Sequence, residues 1–207
     1  MSDELSLADR FGQIDIYLFD QLLRGRFDAR RRVLDAGCGA GRNLPYFLAH
    51  GFDLHAIDAD PRAVAAARAL AEPAGRREAA DRIRQGQLDA LPWPDGAMDA
   101  VICSAVLHFA RDHAHFTRMV DEMWRVLAAG GLLFARLASS IGIESRLAAA
   151  TGRVRLPDGS ERFVVDEALL LATTARLGGT LADPLKTTNV QQQRCMTTWV
   201  VIKNADR

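Results

Sequence analysis

Three observations predict an α/β protein with a doubly wound, mostly parallel sheet, helices on both faces and a C-terminal antiparallel hairpin. Short apolar runs alternate with helical patterns through five units. The central run, Asp99 to Ser104, is continuously apolar, as expected of a strand buried on both faces. The last two β-like runs, Thr180 to Val190 and Cys195 to Lys203, are too close together for a crossover helix and must pair antiparallel.

The elements follow in order. Ile14, Tyr17, Leu18 and Leu22 sit at helical spacing within Gln13 to Leu23, which predicts an N-terminal helix that packs on or covers the rest. The basic stretch Arg24 to Arg32 leads into a short strand, Arg32 to Ala36, and is expected to be a solvated cluster flanking it. Leu44 to Ala49 reads as a helix closed by Gly51, and Asp53 to Asp58 as the second strand. Asp60 and Pro61 form a helix start, and the alanine-rich helix is expected to run to Glu72 before Pro73 and Gly75. A third strand near Ile83 precedes the turn-rich Leu91 to Gly96. Phe116, Met119, Val120, Met123, Trp124 and Leu127 then form one apolar helical stripe that should pack on the sheet. Gly130 and Gly131 turn into a strand over Leu132 to Leu137, and Asp166 caps a helix that ends at Gly178.

The chain has 207 residues, of which 49% are hydrophobic, enough for one sizeable core and one domain. Its subdivisions read as an N-terminal helix or lid (1–31), a ligand-binding core (32–138), an acceptor-side insertion (139–165), and a final helix with hairpin (166–207). Lys plus Arg (26) equals Asp plus Glu (26), so no net field draws it to nucleic acid or to an anionic membrane. Cys38, Cys103 and Cys195 are odd in number and show no paired spacing, which argues against a disulfide framework or a zinc site and for a reducing, cytoplasmic setting. No window approaches the roughly 18 apolar residues of a membrane span, and Met1 to Arg10 lacks a signal-peptide core. The expected partner is a small molecule, with the protein a monomer or homodimer.

The chemistry centres on Asp35-Ala36-Gly37-Cys38-Gly39-Ala40-Gly41-Arg42-Asn43, directly after the first strand. Alternate glycines let the backbone turn sharply and approach a ligand closely. The dinucleotide fingerprint requires a third glycine where Arg42 stands, and no Gly-Lys-Ser/Thr closes the loop as a nucleoside-triphosphate site would need. Asp58 ends the second strand about twenty residues after the loop, where an acid accepts from ribose hydroxyls. A nucleoside without pyrophosphate is the ligand these features describe.

Val33 to Gly41 resembles motif I of the class I S-adenosylmethionine-dependent methyltransferases, whose fold is Rossmann-like. The resemblance continues through His55 to Asp60, Gly86 to Ala100, Ser104 to His108 and Val126 to Leu132, covering about Arg32 to Ala138. It implies that S-adenosylmethionine is the cofactor and S-adenosylhomocysteine the product. It further implies that Asp35 and the backbone of Gly37, Cys38, Gly39 and Gly41 hold the methionine end, that Asp58 holds the ribose, and that Ala59 lies against the adenine face. The adenine amino group falls to Gln87, or to Asp89 two residues on, and the ring to the Leu88 N–H. Ser104 should face the methionine moiety or the methyl group.

In-line methyl displacement needs alignment and exclusion of water more than a dedicated base. If a proton must move, His108 and Tyr17 are the candidate catalytic residues. His108 follows the fourth strand, although a Leu-His-Phe turn also suits packing and a backbone hydrogen bond. Tyr17, with Asp20, comes from the N-terminal helix, a lid in relatives. His113 and His115 are expected to be exposed, and with His108 they match no metal-ligand spacing. Ser139 to Val165 should carry acceptor specificity. Its arginines hint at an anionic acceptor, while Leu156-Pro157-Asp158-Gly159 reads as a turn between two strands. The competing readings are a non-catalytic S-adenosylmethionine-binding protein and an NAD(P)-binding reductase.

Overall fold

The computed structural model describes residue 6 and residues 10–205, so most of the Met1 to Arg10 reading lies outside the described residues. In chain order the strands are β1 (Arg32–Ala36), β2 (Asp53–Asp58), β3 (Ile83–Gln85), β4 (Met98–Ser104), β5 (Leu127–Ser139), β6 (Gly152–Arg155), β7 (Glu161–Val164), β8 (Gly179–Leu181), β9 (Lys186–Val190) and β10 (Arg194–Lys203). The main sheet runs β3-β2-β1-β4-β5-β10-β8, with β9 also paired to β10. Its first five strands are parallel, and β10 lies antiparallel to β5, β8 and β9. The chain reverses its direction of sheet building between β1 and β4, so the carboxyl ends of these two strands open a crevice.

The helices are α1 (Ile16–Leu23), α2 (Leu44–Ala49), α3 (Pro61–Ala69), α4 (Arg77–Ala80), α5 (His113–Val126) and α6 (Glu167–Arg176). Asp15, Asp60, Asp112 and Asp166 each accept a hydrogen bond from a first-turn backbone N–H, at 2.7–3.0 Å, which fixes where α1, α3, α5 and α6 begin. Successive strand residues point to opposite faces, and the core divides accordingly. Leu34, Val101, Leu133 and Trp199 pack with Phe116, Met119 and Met123 of α5 and Leu170 of α6. Val33, Ile102, Leu132 and Phe134 pack with Leu18 of α1, Phe47 of α2 and Val64 of α3.

Several expectations need correction. The alanine-rich helix ends at Ala69, short of Glu72, and the unpredicted α4 follows. Gly130 and Gly131 do not precede a strand but lie within β5, which begins at Leu127. Gly130, at φ +74°, accommodates the register shift that carries pairing from Met98–Leu127 to Ala100–Leu132. The run Thr180 to Val190 is two strands, broken at Asp183-Pro184, because proline cannot donate to the ladder. The arginines before β1 are structural: Arg32 grips Asp99 through Nε at 3.0 Å, Arg26 pairs with Asp183 at 2.9 Å, and Arg30 donates to the Gly130 carbonyl at 2.8 Å. Between β5 and α6, β6 and β7 form the hairpin that the Leu156 to Gly159 turn suggested.

Candidate active site

A cavity of about 880 Å³ lies where the crevice was expected, near the upper end of the roughly 300–1,000 Å³ typical of small-molecule sites. The glycine loop, the ends of β2 and β4, the β6–β7 hairpin and the start of β10 surround it.

The loop is held from below. Gly37 and Cys38 both donate to the Ile57 carbonyl, at 2.8 and 3.0 Å, so the loop is tied to β2. Gly37 and Gly39 have φ of +82° and +53°, in the left-handed region. A side chain at Gly37 would collide with Val106, whereas a Cβ at Gly39 would meet no atom within 4 Å. Gly39 therefore presents bare backbone to open space, while Gly37 is small because the fold requires it. Gly41 is also a packing glycine, closed off by Leu70 and Leu44, and does not line the cavity.

Asp35 sits on β1 between Ala56 and Ile102 and is 1% exposed. Its carboxylate oxygens make no well-formed hydrogen bond among the described residues, the Asn43 side chain being the polar group beside them, and Asp35 does not line the cavity. Burial pushes this carboxyl up to about 7, against the pull of the Arg42 guanidinium. Asp58 lines the cavity, and its two oxygens accept from the N–H of Gly39 at 2.7 Å and of Asp60 at 3.0 Å. It thus joins the glycine loop to the entry of α3. Ala59, Gln87, Leu88 and Ser104 line the same cavity. Asp89 does not: it turns toward His115, Arg111 and Arg118, at 3.5, 3.8 and 3.9 Å.

His108 lines the cavity and is 7% exposed, with a buried Nδ1 that has no partner among the described residues. Its expected backbone hydrogen bond is therefore not formed through that nitrogen. Burial pushes its pKa down to about 4, with Arg162 and Arg136 adding to the shift, so the ring is neutral at physiological pH. Tyr17 lies outside the cavity lining. Its hydroxyl is hydrogen-bonded to Thr188, and the Arg136 guanidinium stands 4.8 Å from the centre of its ring. Asp20 pairs with Arg24 at 2.8 Å. α1 buries Leu18 against the sheet, while its capping residue Asp15 reaches Ser104 on the cavity wall. His113 is exposed as expected, but His115 is buried, its Nδ1 accepting from the Arg111 N–H at 3.1 Å. Among the described residues no cluster of His, Cys, Asp and Glu is placed to hold a metal ion, and no helix is long and apolar enough to cross a membrane.

Residues 34–135 match the family model described as a methyltransferase domain. Over that stretch, just under half of the chain, the sequence is that of a methyltransferase domain. Over 120 residues it is 33% identical to the malonyl-[acyl-carrier protein] O-methyltransferase of Enterobacter lignolyticus, covering 56% of this chain and 44% of that one. Over 105 residues it is 33% identical to the demethylmenaquinone methyltransferase of Deinococcus radiodurans, covering 50% and 41%. The chain thus spans less than half the length of these two relatives. Its fold is similar to that of the Burkholderia thailandensis 1,6-didemethyltoxoflavin-N1-methyltransferase, solved with 1,6-didemethyltoxoflavin and S-adenosylhomocysteine. That likeness has a TM-score of 0.67 at 18% identity and covers 92% of this chain and 82% of the other.

Sequence reasoning missed a buried polar network behind the cavity wall. Asp15, 4% exposed, accepts from the Ser104 hydroxyl at 2.7 Å and from Arg42 at 3.3 Å, with Arg136 at 3.6 Å. Arg42 also donates to Ser104 at 2.7 Å. Asp15 had no role of its own within the predicted helix, and Arg42 read only as a missing glycine. The link to Ser104 crosses 89 residues of sequence, and no local pattern encodes it.

Proposed function

We propose that the chain transfers the methyl group of S-adenosylmethionine to a small-molecule acceptor bound beside the cofactor in the one cavity. The observation that carries this reading is the loop whose Gly39 offers open backbone beside Asp58 on the cavity wall, with the buried Asp35 carboxyl enclosed at its base. A carboxyl held near neutrality by burial gains stability from a cationic group, and the cofactor carries an ammonium. The donor set therefore fits the methionine end. Asp35 and the backbone of the Gly37 to Gly41 segment would hold that end, and Asp58, whose oxygens retain unused lone pairs, the ribose. Ala59, Gln87 and the Leu88 backbone would hold the adenine. Ser104, fixed by Asp15 and Arg42, would stand near the methyl group.

The cofactor supplies an electrophilic methyl on a sulfonium. The residues of the chain orient the acceptor, keep water out through Phe109, Leu156 and Met196, and surround the site with fixed charge. Residues 32–138 would form the cofactor half and 139–165 the acceptor half of a single methyltransferase unit.

Calorimetric titration with S-adenosylhomocysteine, with NADH as control, tests the reading. Micromolar binding of the first and none of the second is expected. Binding of NADH, or of neither, overturns it.

A further inference from the structure

The acceptor side of the cavity has a charge pattern that methyl transfer alone does not require. Arg42, Arg111, Arg136, Arg162 and Arg194 line the cavity against only two carboxylates, Asp58 and Asp158. Arg42 and Arg136 pair with Asp15, and Arg111 with Asp89 at 3.8 Å. Among the described residues, Arg162 and Arg194 form no ion pair within 4 Å, although both lie close enough to Asp158 to hold its carboxyl below the usual range, after the larger effect of its Ser160 hydrogen bonds. Arg162 donates to the Glu161 carbonyl at 2.7 Å, and its guanidinium stands 5.2 Å from the ring centre of Phe109, which is 56% exposed. A sulfonium cofactor would add to this positive field. Guanidinium groups with spare donors on a cavity wall match a planar anion.

The titratable groups that face the acceptor side of the cavity either bind a proton weakly or hold it firmly, and Asp35, at about 7, is enclosed on β1 and does not line the cavity. Burial, with Arg162 and Arg136, pushes His108 down to about 4, and burial with Arg111 holds His115 below its ordinary value. Asp158 is held low by Ser160, and burial raises the Cys38 and Cys195 thiols, which stay protonated. None of these groups is matched to remove a proton from a phenol or an ammonium.

Resting on the methyl-transfer reading above, we propose that the acceptor is a carboxylic acid with an apolar body, its carboxylate held by Arg162 and Arg194 together with Arg136, and that the carboxylate oxygen is the atom methylated. Carboxylic acids ionise near pH 4, so the nucleophile arrives deprotonated. The oxygen forms its bond to the methyl carbon as the carbon–sulfur bond breaks, and the bonding pair stays on sulfur. An anion and a sulfonium become a neutral ester and a neutral thioether, and no proton moves. The apolar body rests against Phe109, Leu156 and Met196.

The test titrates the S-adenosylhomocysteine complex with a panel of straight-chain and phenyl-terminated carboxylic acids, each beside its primary amide, with phenyl phosphate as a further arm. Methyl transfer is followed with tritiated cofactor and mild-alkali release of labelled methanol. Saturable binding is expected for acids of the panel, with at least about tenfold weaker binding of the matching amides. Arg162→Gln should lower acid affinity by about tenfold while leaving S-adenosylhomocysteine affinity unchanged, and Arg162→Lys should restore part of it. The label should be alkali-labile and kcat level between about pH 6 and 9. Acids binding no better than amides, preference for the phosphate alone, a rate that rises with pH, or an alkali-stable label would each overturn the proposal. Failure of S-adenosylhomocysteine to bind would instead overturn the methyl-transfer reading beneath it.

Discussion

The two walls of the cavity are built by different physical means. On the loop side, backbone does the work: glycines in left-handed conformations, N–H groups tied to Ile57, and Asp58 bridging Gly39 and Asp60. On the hairpin side, long charged side chains from β5, β7 and β10 converge from segments far apart in the chain. The first wall suits a ligand of fixed shape, and the second can be altered by single substitutions without disturbing the fold. Cofactor recognition and acceptor recognition should therefore fail independently.

The largest expected effect separates the glycines within the loop wall. Gly37→Ala places a side chain in the left-handed region against Val106 and should cost about 2–4 kcal/mol in denaturant unfolding. Gly39→Ala meets no neighbour, so it should cost only about 1–2 kcal/mol of stability yet lower S-adenosylhomocysteine affinity by about tenfold or more. Equal stability losses for the two variants would erase the distinction between a packing glycine and a ligand-facing one.

Asp35 gives a pH-dependent prediction. Its folded pKa of about 7 lies above the ordinary 3.8, so the folded state holds the proton more tightly. That contribution is fully present below about pH 4 and is lost as pH rises through 7, on the order of 4 kcal/mol. Asp35→Asn should flatten this slope in the ligand-free protein, raise its stability at pH 8, and weaken cofactor binding. An unchanged slope would mean that the carboxyl is paired in solution.

Smaller effects are expected where the hairpin and N-terminal segments meet. Tyr17→Phe removes the hydrogen bond to Thr188 and should cost roughly 0.5–1.5 kcal/mol in thermal unfolding with no change in cofactor affinity. A large loss of affinity would return Tyr17 to the binding site. Last, the His108 ring protons should titrate near pH 4 by NMR in the free protein and at higher pH once an anion neutralises Arg162 and Arg136. A titration near 6.5 would remove the electrostatic contrast between the two walls.

The sequence by itself determined the alternating, mostly parallel architecture and the position of the glycine loop. These follow from properties carried within a few residues: hydrophobic periodicity, capping acids and glycine at positive φ. Boundaries failed where a sheet-wide requirement overrode them, as at Gly130 inside β5 and at Asp183-Pro184 between β8 and β9. Tertiary structure alone decided which loop residues face the cavity. It set Gly39 apart from Gly41, Gln87 from Asp89, and placed the Tyr17 hydroxyl against Thr188. It also brought Asp15, Arg42, Ser104 and Arg136 into one network and, among the described residues, left Arg162 and Arg194 on the cavity wall without an ion pair within 4 Å. The reason is that side-chain direction and charge neighbourhood depend on contacts between residues tens of positions apart, and sequence spacing carries no record of them.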